Sequence, residues 1–221
     1  MQCVILAGDS RTWMGRRATD RPKAMVELAG ESFIRHQLRL LANAGVDDVV
    51  ICVGRDAEII DDEAARHCPK GVVVRCIRDG LMPLGAAGAT RLAVEKGLTD
   101  EQFMVLYGES YARVDYADVW ASFDGTQYHG LMTVWRNRDP LAISNAGVRD
   151  GRIVVYRNGE DGSNHPSMSY IDCGLGILTA DAVLALVPVG TQHDLSTLYE
   201  TIATRGRLQA HEVAHRLDEA S

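Results

Sequence analysis

Basic side chains crowd one short stretch of an otherwise acidic chain. Arg11, Arg16, Arg17, Arg21 and Lys23 fall within thirteen residues, although the whole sequence carries 23 Lys+Arg against 30 Asp+Glu. The stretch follows an apolar run, Val4-Ile5-Leu6, and the small pair Ala7-Gly8. Cations and backbone amides just past a strand are a common means of holding phosphate groups. A solvated basic loop has the same composition, so both readings stand at this point. Gly85-Ala86-Ala87-Gly88 is a second glycine-rich stretch. Other polar clusters read more simply. Asp61-Asp62-Glu63 is a solvated helix face and His36 a structural histidine among apolar neighbours, while Trp120 and Trp135 are packing residues. His211 and His215 have helical i, i+4 spacing but lack a third ligand.

Short β-branched runs alternating with amphipathic segments must position these residues. Residues 2–7, 48–53, 71–77 and 103–107 read as strands, with helices over 32–44, 55–67 and 89–97. This alternation predicts parallel βαβ units, hence an α/β fold with a doubly wound, mostly parallel mixed sheet flanked by helices. In such a sheet, ligands bind at the carboxyl ends of the strands. The second half changes character. Strands are expected at 130–135 and 170–178, an Asp150-Gly151 hairpin turn between apolar runs, and helices near 180–187 and 194–205. Residues 159–167 are the most loop-like stretch. No repeat or long linker divides the chain, so residues 1–221 read as one domain.

With 46% hydrophobic and 24% charged residues, disorder and fibrous repeats are excluded. A net charge of -7 argues against a nucleic-acid binder. No apolar run approaches the ~20 residues of a membrane span. Five scattered cysteines without a C-x-x-C pair predict reduced thiols in a cytoplasmic protein.

The segments carry a further, collinear pattern. Leu6-Ala7-Gly8 with Thr12 and Met14, then Asp20-Arg21-Pro22-Lys23-Ala24-Met25-Val26, resembles the signature of the sugar-1-phosphate nucleotidyltransferases. The resemblance continues through 29–34, 44–50, 84–89, 105–111 and 170–174, and so covers most of the chain. Its length is similar to that of the compact heptose-, MurNAc- or glucose-1-phosphate members, with a Rossmann-like, GT-A-like fold. The resemblance implies transfer of a nucleoside monophosphate from a triphosphate to a sugar 1-phosphate, with release of pyrophosphate. It assigns Lys23, Arg11 and Arg16 to catalysis, and Leu6, Ala7, Gly8, Asp9, Gly85, Ala86, Gly88 and Gly108 to the nucleotide. Residues 78–84 would face the base, though their types do not name it. Asn145, Gly147, Tyr170 and Asp172 would line the sugar-phosphate side. Glu109, with Asp218 as a second acid, would hold Mg²⁺. On this scheme 1–110 is the nucleotide half and 111–221 the sugar-phosphate half. The assembly would be a homo-oligomer or a hetero-oligomer with an active paralogue.

The resemblance breaks in the signature loop. Where the family reads G-G-x-G-T-R-[LM]-x-P-x-T, this chain reads Gly8-Asp9-Ser10-Arg11-Thr12-Trp13-Met14-Gly15-Arg16-Arg17-Ala18. Two permissive glycines are gone, and a carboxylate enters the polyphosphate path. Glu109 replaces the usual aspartate and is one methylene longer. Two alternatives therefore stand beside the transferase reading. One is an inactive paralogue acting as a regulatory or binding subunit. The other is a cytidylyltransferase acting on a non-sugar phosphate or phosphonate.

Overall fold

The fold is taken from a computed structural model, which describes residues 1–8, 22–54, 57–80, 82–111, 113–139, 141–157 and 166–214, with the backbone of 218–219. In chain order the elements begin with β1 (Gln2–Leu6), a 3₁₀ turn (Lys23–Met25), and the short strands β2 (Glu27–Leu28) and β3 (Glu31–Ser32). Then follow α1 (Phe33–Asn43), β4 (Asp48–Val53), α2 (Ala57–Arg66), β5 (Val73–Arg78), α3 (Gly85–Glu95) and β6 (Gln102–Tyr107). The second half adds β7 (Ser110–Tyr111), α4 (Tyr116–Ser122), β8 (Gly130–Arg136), β9 (Ala146–Arg149), β10 (Arg152–Tyr156) and β11 (Tyr170–Thr179). It closes with α5 (Ala180–Leu186), α6 (Leu195–Thr204), β12 (Leu208–Glu212) and β13 (Asp218–Glu219).

Nine strands form one sheet in the order β5-β4-β1-β6-β11-β8-β12-β10-β9. The first four are parallel neighbours, β11 runs antiparallel between β6 and β8, and β12 is parallel to β8. The expected mixed α/β architecture with a central sheet flanked by helices is the one observed, but the sheet is not mostly parallel. Beyond β6 the β11, β10 and β9 pairings are all antiparallel, because the second half adds its strands through hairpins and long-range returns instead of βαβ units.

Burial on both faces explains the unbroken apolar runs of the first strands. Along β1, Cys3 and Ile5 point into a core shared with α1, α2 and α4, while Val4 and Leu6 point into a second core shared with α3, α5 and α6. Strand β6 divides likewise, with Met104 and Leu106 on one face and Phe103 and Val105 on the other. The period of two thus places a helical layer on each side of the sheet.

Local signals explain most boundaries. Gly45 ends α1 at φ +82°, a left-handed conformation that glycine adopts without strain. Asp150 and Gly151 both have positive φ, +51° and +71°, as a two-residue type I′ hairpin turn between β9 and β10 requires. The structure departs from expectation in several places, the short strands β2, β3, β7 and β13 among them. Helix α3 starts at Gly85, four residues earlier than predicted, so the glycine segment is its first turn rather than a free turn. Helix α4 and strand β12 were not anticipated. Leu208–Glu212 lacks β-branched residues, yet pairs in parallel with β8, so sheet closure overrides its propensity. His211 consequently lies on a strand and not on a helix, which removes the i, i+4 geometry assumed for His211 and His215.

Candidate active site

The parallel strands end on a common edge, and a cleft of about 350 Å³ opens there. Its floor is made by the residues that leave those strands: Leu6 and Gly8 after β1, Cys52 from β4, Asp79 after β5, and Tyr107 and Glu109 at the end of β6. One wall is the start of α3, with Pro83, Gly85, Ala86 and Ala89. The opposite wall is Gln192, Asp194, Leu195 and Ser196, from the α5–α6 connection and the first turn of α6.

Close backbone contacts hold this floor together. The Gly108 N–H donates to Leu6 O at 2.9 Å, and a Cβ there would stand 3.0 Å from the Ala7 backbone. Ala7 itself is tied to β4 through a 2.8 Å bond from its N–H to Cys52 O. A Cβ on Gly54 would lie 2.8 Å from Gly8 O, so β1 and β4 leave the sheet in contact. Among these glycines, Gly54 carries no chemistry in the sequence, and only this packing marks it.

Beside the cleft, Lys23 pairs with its lining residue Glu109. Lys23 Nζ donates to Glu109 Oε1 at 3.3 Å, and the two side chains are 22% and 32% exposed. A segment before α1 and the end of β6 therefore meet across 86 residues of sequence. A buried residue that sequence reading missed fixes the Glu109 turn. Gln37 of α1 donates through Nε2 to both Tyr107 O and Ser110 O, each at 2.8 Å. The signal was present, because Gln37 sits among Phe33, Ile34, Leu38 and Leu41 on the buried stripe of α1.

Tyr107 connects the cleft with a second polar group. Burial raises its phenol well above the ordinary range, and the carboxylates of Asp172, Glu109 and Asp194 push it further in the same direction. Asp172 accepts from Tyr156 Oη at 2.8 Å and from the Gly174 N–H at 2.8 Å, while its own N–H donates to Asn145 Oδ1. The Asn145 N–H donates to Tyr170 O. Asn145, Tyr170 and Asp172 are thus one hydrogen-bonded group at the cleft's flank. Gly147 and Gly88 leave no room for a side chain: a Cβ on Gly147 would lie 2.5 Å from Ser167 O, and one on Gly88 would lie 2.9 Å from Leu84 Cβ and 3.2 Å from Thr191 O. Asp9, Arg11 and Arg16 lie outside the described residues, as does the Asp218 side chain. The backbone of Asp218 pairs with Tyr111, two residues from Glu109.

Residues 3–158 match the MobA-like NTP transferase domain family. The chain belongs to that family. This MobA-like chain is 26% identical over 157 residues to the mannose-1-phosphate guanylyltransferase catalytic subunit beta of Dictyostelium discoideum, covering 71% of itself and 42% of the relative. It spans less than half the length of that relative. It is 23% identical to a glucose-1-phosphate cytidylyltransferase of Salmonella typhimurium, covering 96% of itself and 88% of the relative. Its fold is similar to that of HddC from Yersinia pseudotuberculosis solved with GMP-PN, with a TM-score of 0.80, 22% identity, and coverage of 99% and 92% of the two chains.

The described residues contain no group of three His, Cys, Asp or Glu side chains able to cage a metal ion. Mg²⁺ in phosphoryl-transfer sites needs less, because it takes one or two protein carboxylates and fills its shell with water and substrate phosphate. The part-exposed Glu109 carboxylate in the cleft fits that requirement. No helix among the described residues is long and apolar enough to cross a membrane.

Proposed function

We propose that this chain transfers a nucleoside monophosphate from a nucleoside triphosphate to a sugar 1-phosphate. An oxygen of the sugar phosphate forms a bond to the α-phosphorus, the bond from that phosphorus to the bridging oxygen breaks, and pyrophosphate leaves with the electron pair. The observation that carries the reading is the Lys23–Glu109 pair, whose carboxylate lines a cleft at the ends of four parallel strands. The reaction asks a protein chiefly for positioning and charge neutralisation. Lys23 supplies a cation for the phosphate oxygens, and Glu109 would hold Mg²⁺, which when bound neutralises charge developing on the phosphates. The Asn145–Asp172–Tyr156 group offers fixed polar atoms for a hydroxylated substrate on the Tyr107 side. The names of the relatives, a mannose-1-phosphate and a glucose-1-phosphate nucleotidyltransferase, support the sugar-phosphate class.

The test is pyrophosphate release with each of the four triphosphates, a panel of hexose 1-phosphates and Mg²⁺, beside direct measurement of triphosphate binding. Lys23→Ala should weaken triphosphate binding by about tenfold to a hundredfold, the effect of losing a charge-assisted hydrogen bond. Unchanged affinity would make Lys23 a surface lysine. The altered loop, Gly8-Asp9-Ser10-Arg11, favours a second reading as a non-catalytic binding subunit. Triphosphate binding without pyrophosphate release under any combination would establish it. Absence of both binding and turnover would refute the two readings together.

A further inference from the structure

Two cations have a claim on one carboxylate. Lys23 Nζ donates to Glu109 Oε1 at 3.3 Å, and Glu109 is also the residue to which the transferase reading gives Mg²⁺. The pair is built from fixed parts at both ends. Its carboxylate stands on a turn held by the Gln37 bonds to Tyr107 O and Ser110 O and by the Gly108 N–H bond to Leu6 O. Its ammonium rises from the 3₁₀ turn Lys23–Met25, where the Val26 N–H donates to Lys23 O at 3.0 Å and the Met25 N–H to Pro22 O at 2.8 Å. Ala24 of that turn is buried, and the Phe33 N–H donates to Val26 O at 2.9 Å, which ties the segment to the start of α1. Both side chains of the pair are mostly covered, so water screens it less than an ion pair on the surface. Lys23 can leave Glu109 only by turning its own side chain.

A divalent cation on the same carboxylate would stand within ~5–6 Å of the ammonium, even if each cation took a different oxygen. A single and a double positive charge at that separation repel enough to weaken binding about tenfold with the full dielectric of water between them. A lower dielectric raises the penalty. The obstacle is charge and not space.

We propose that Lys23 is a resident counter-cation that keeps a free divalent ion off Glu109, so that the metal is admitted only together with a triphosphate. This deepens the transferase reading and rests on its assignment of the metal to Glu109. Triphosphate oxygens compete with the carboxylate for the three donors of the ammonium. A bound triphosphate therefore draws the Lys23 side chain to itself and releases Glu109 for the metal. The coupling is reciprocal: the affinity that Lys23 takes from the free ion returns when the triphosphate binds.

The experiment is Mn²⁺ binding to the full chain without nucleotide, read from the paramagnetic resonance signal of the free ion, with melting curves in the same buffers. Lys23→Met keeps most of the stem and removes the charge, and it should bind Mn²⁺ at least about tenfold more tightly than the wild type. Mn²⁺ should also raise the melting temperature of Lys23→Met more than that of the wild type. Lys23→Arg keeps the charge and should bind Mn²⁺ no better than the wild type. Adding Glu109→Gln to Lys23→Met should abolish the gain, which places the ion on Glu109. Lys23→Gln replaces Lys23→Met if the melting curve shows that Lys23→Met does not fold. The same loss of charge should thus weaken triphosphate binding and strengthen metal binding, and a merely structural lysine would not move the two in opposite directions. Equal Mn²⁺ affinity in the wild type and Lys23→Met overturns the proposal and leaves the transferase reading intact. So does a gain that survives Glu109→Gln, or one that Lys23→Arg shares. Absence of Mn²⁺ binding from both wild type and Lys23→Met overturns it as well and takes the metal from Glu109, while pyrophosphate release still judges the transferase reading separately.

Discussion

At the scale of single residues, the site depends on side chains that touch no substrate. Gln37 spans the turn that carries Glu109 by donating to the carbonyls on either side of Gly108-Glu109. Gln37→Leu keeps the apolar packing of α1 but leaves two carbonyls unpaired, and an unpaired buried group costs about 1–3 kcal/mol. Part of this loss is offset, because Gln37 Oε1 is itself buried without a partner. Stability should therefore fall modestly. Pyrophosphate release should fall further, by up to about a hundredfold, since misplacing a reacting group by ~1 Å costs that much. The Mg²⁺ concentration giving half-maximal rate should rise with it. A variant that loses stability yet keeps its rate and its Mg²⁺ requirement would reduce Gln37 to a packing residue. The cation cluster pointed to Lys23 and the family resemblance to Glu109, and the two do meet. Asp79 and Gln37 are ordinary residues by type. What singles them out is burial without a full set of partners, which sequence alone does not state.

At the scale of elements, the cleft walls are set by how α3 starts. Its first turn is held by the α5–α6 connection: the Ala87 and Gly88 N–H groups donate to His193 O at 3.0 and 3.2 Å, and the His193 N–H donates to Leu84 O at 2.8 Å. Two of the helix's four open N–H groups are therefore already satisfied by protein. Gly85 makes the junction possible. Its φ is +71°, and a Cβ there would lie 2.7 Å from His193 O. Gly85→Ala should cost about 1 kcal/mol or more for the backbone conformation alone. It should also push the two walls apart, so triphosphate binding weakens more than stability. Equal affinity in a destabilised Gly85→Ala would show that the walls do not form the binding surface. The glycine-rich stretch was legible and the resemblance marked it, but the segment that packs against it was not. It comes from a segment more than a hundred residues later, whose polar run Thr191-Gln192-His193-Asp194 gives no local hint of its destination. The I′ turn at Asp150-Gly151 was fully legible, because its chemistry is local.

At the scale of the whole molecule, one sheet joins the half that bears Lys23, Asp79 and Glu109 to the half that bears Asn145 and Asp172. Strand β6 is the seam. It pairs with β1 on one edge and with β11 on the other, where Leu106 faces Leu175 and Met104 faces Ile177 in register. The core beneath α3 is likewise shared. Phe103, Val105 and Ala93 pack in one cluster with Val183, Leu195, Leu198 and Ile202 from the second half. The strand–helix alternation of the first half predicts the parallel part of this sheet, since each βαβ unit is local in sequence. The antiparallel insertion of β11 beside β6 is a long-range choice that no short pattern encodes. It has a direct consequence for a fragment of residues 1–110. Such a fragment keeps β1, β4, β5 and β6 but exposes an unpaired, apolar β6 edge, which is a template for association with other chains. It also removes α5 and α6 from one face of the sheet, leaving α3 alone to cover it. The fragment should therefore aggregate or melt without a cooperative transition, while the full chain melts in one step. Light scattering and thermal circular dichroism on both proteins test this. A soluble, monomeric, cooperatively melting 1–110 fragment would mean that the first half folds by itself and that the second half is an addition to it. The expected result would mean that the two halves form one cooperative unit, so a change at Asp172 that lowers stability must lower it equally for the half that bears Lys23 and Glu109.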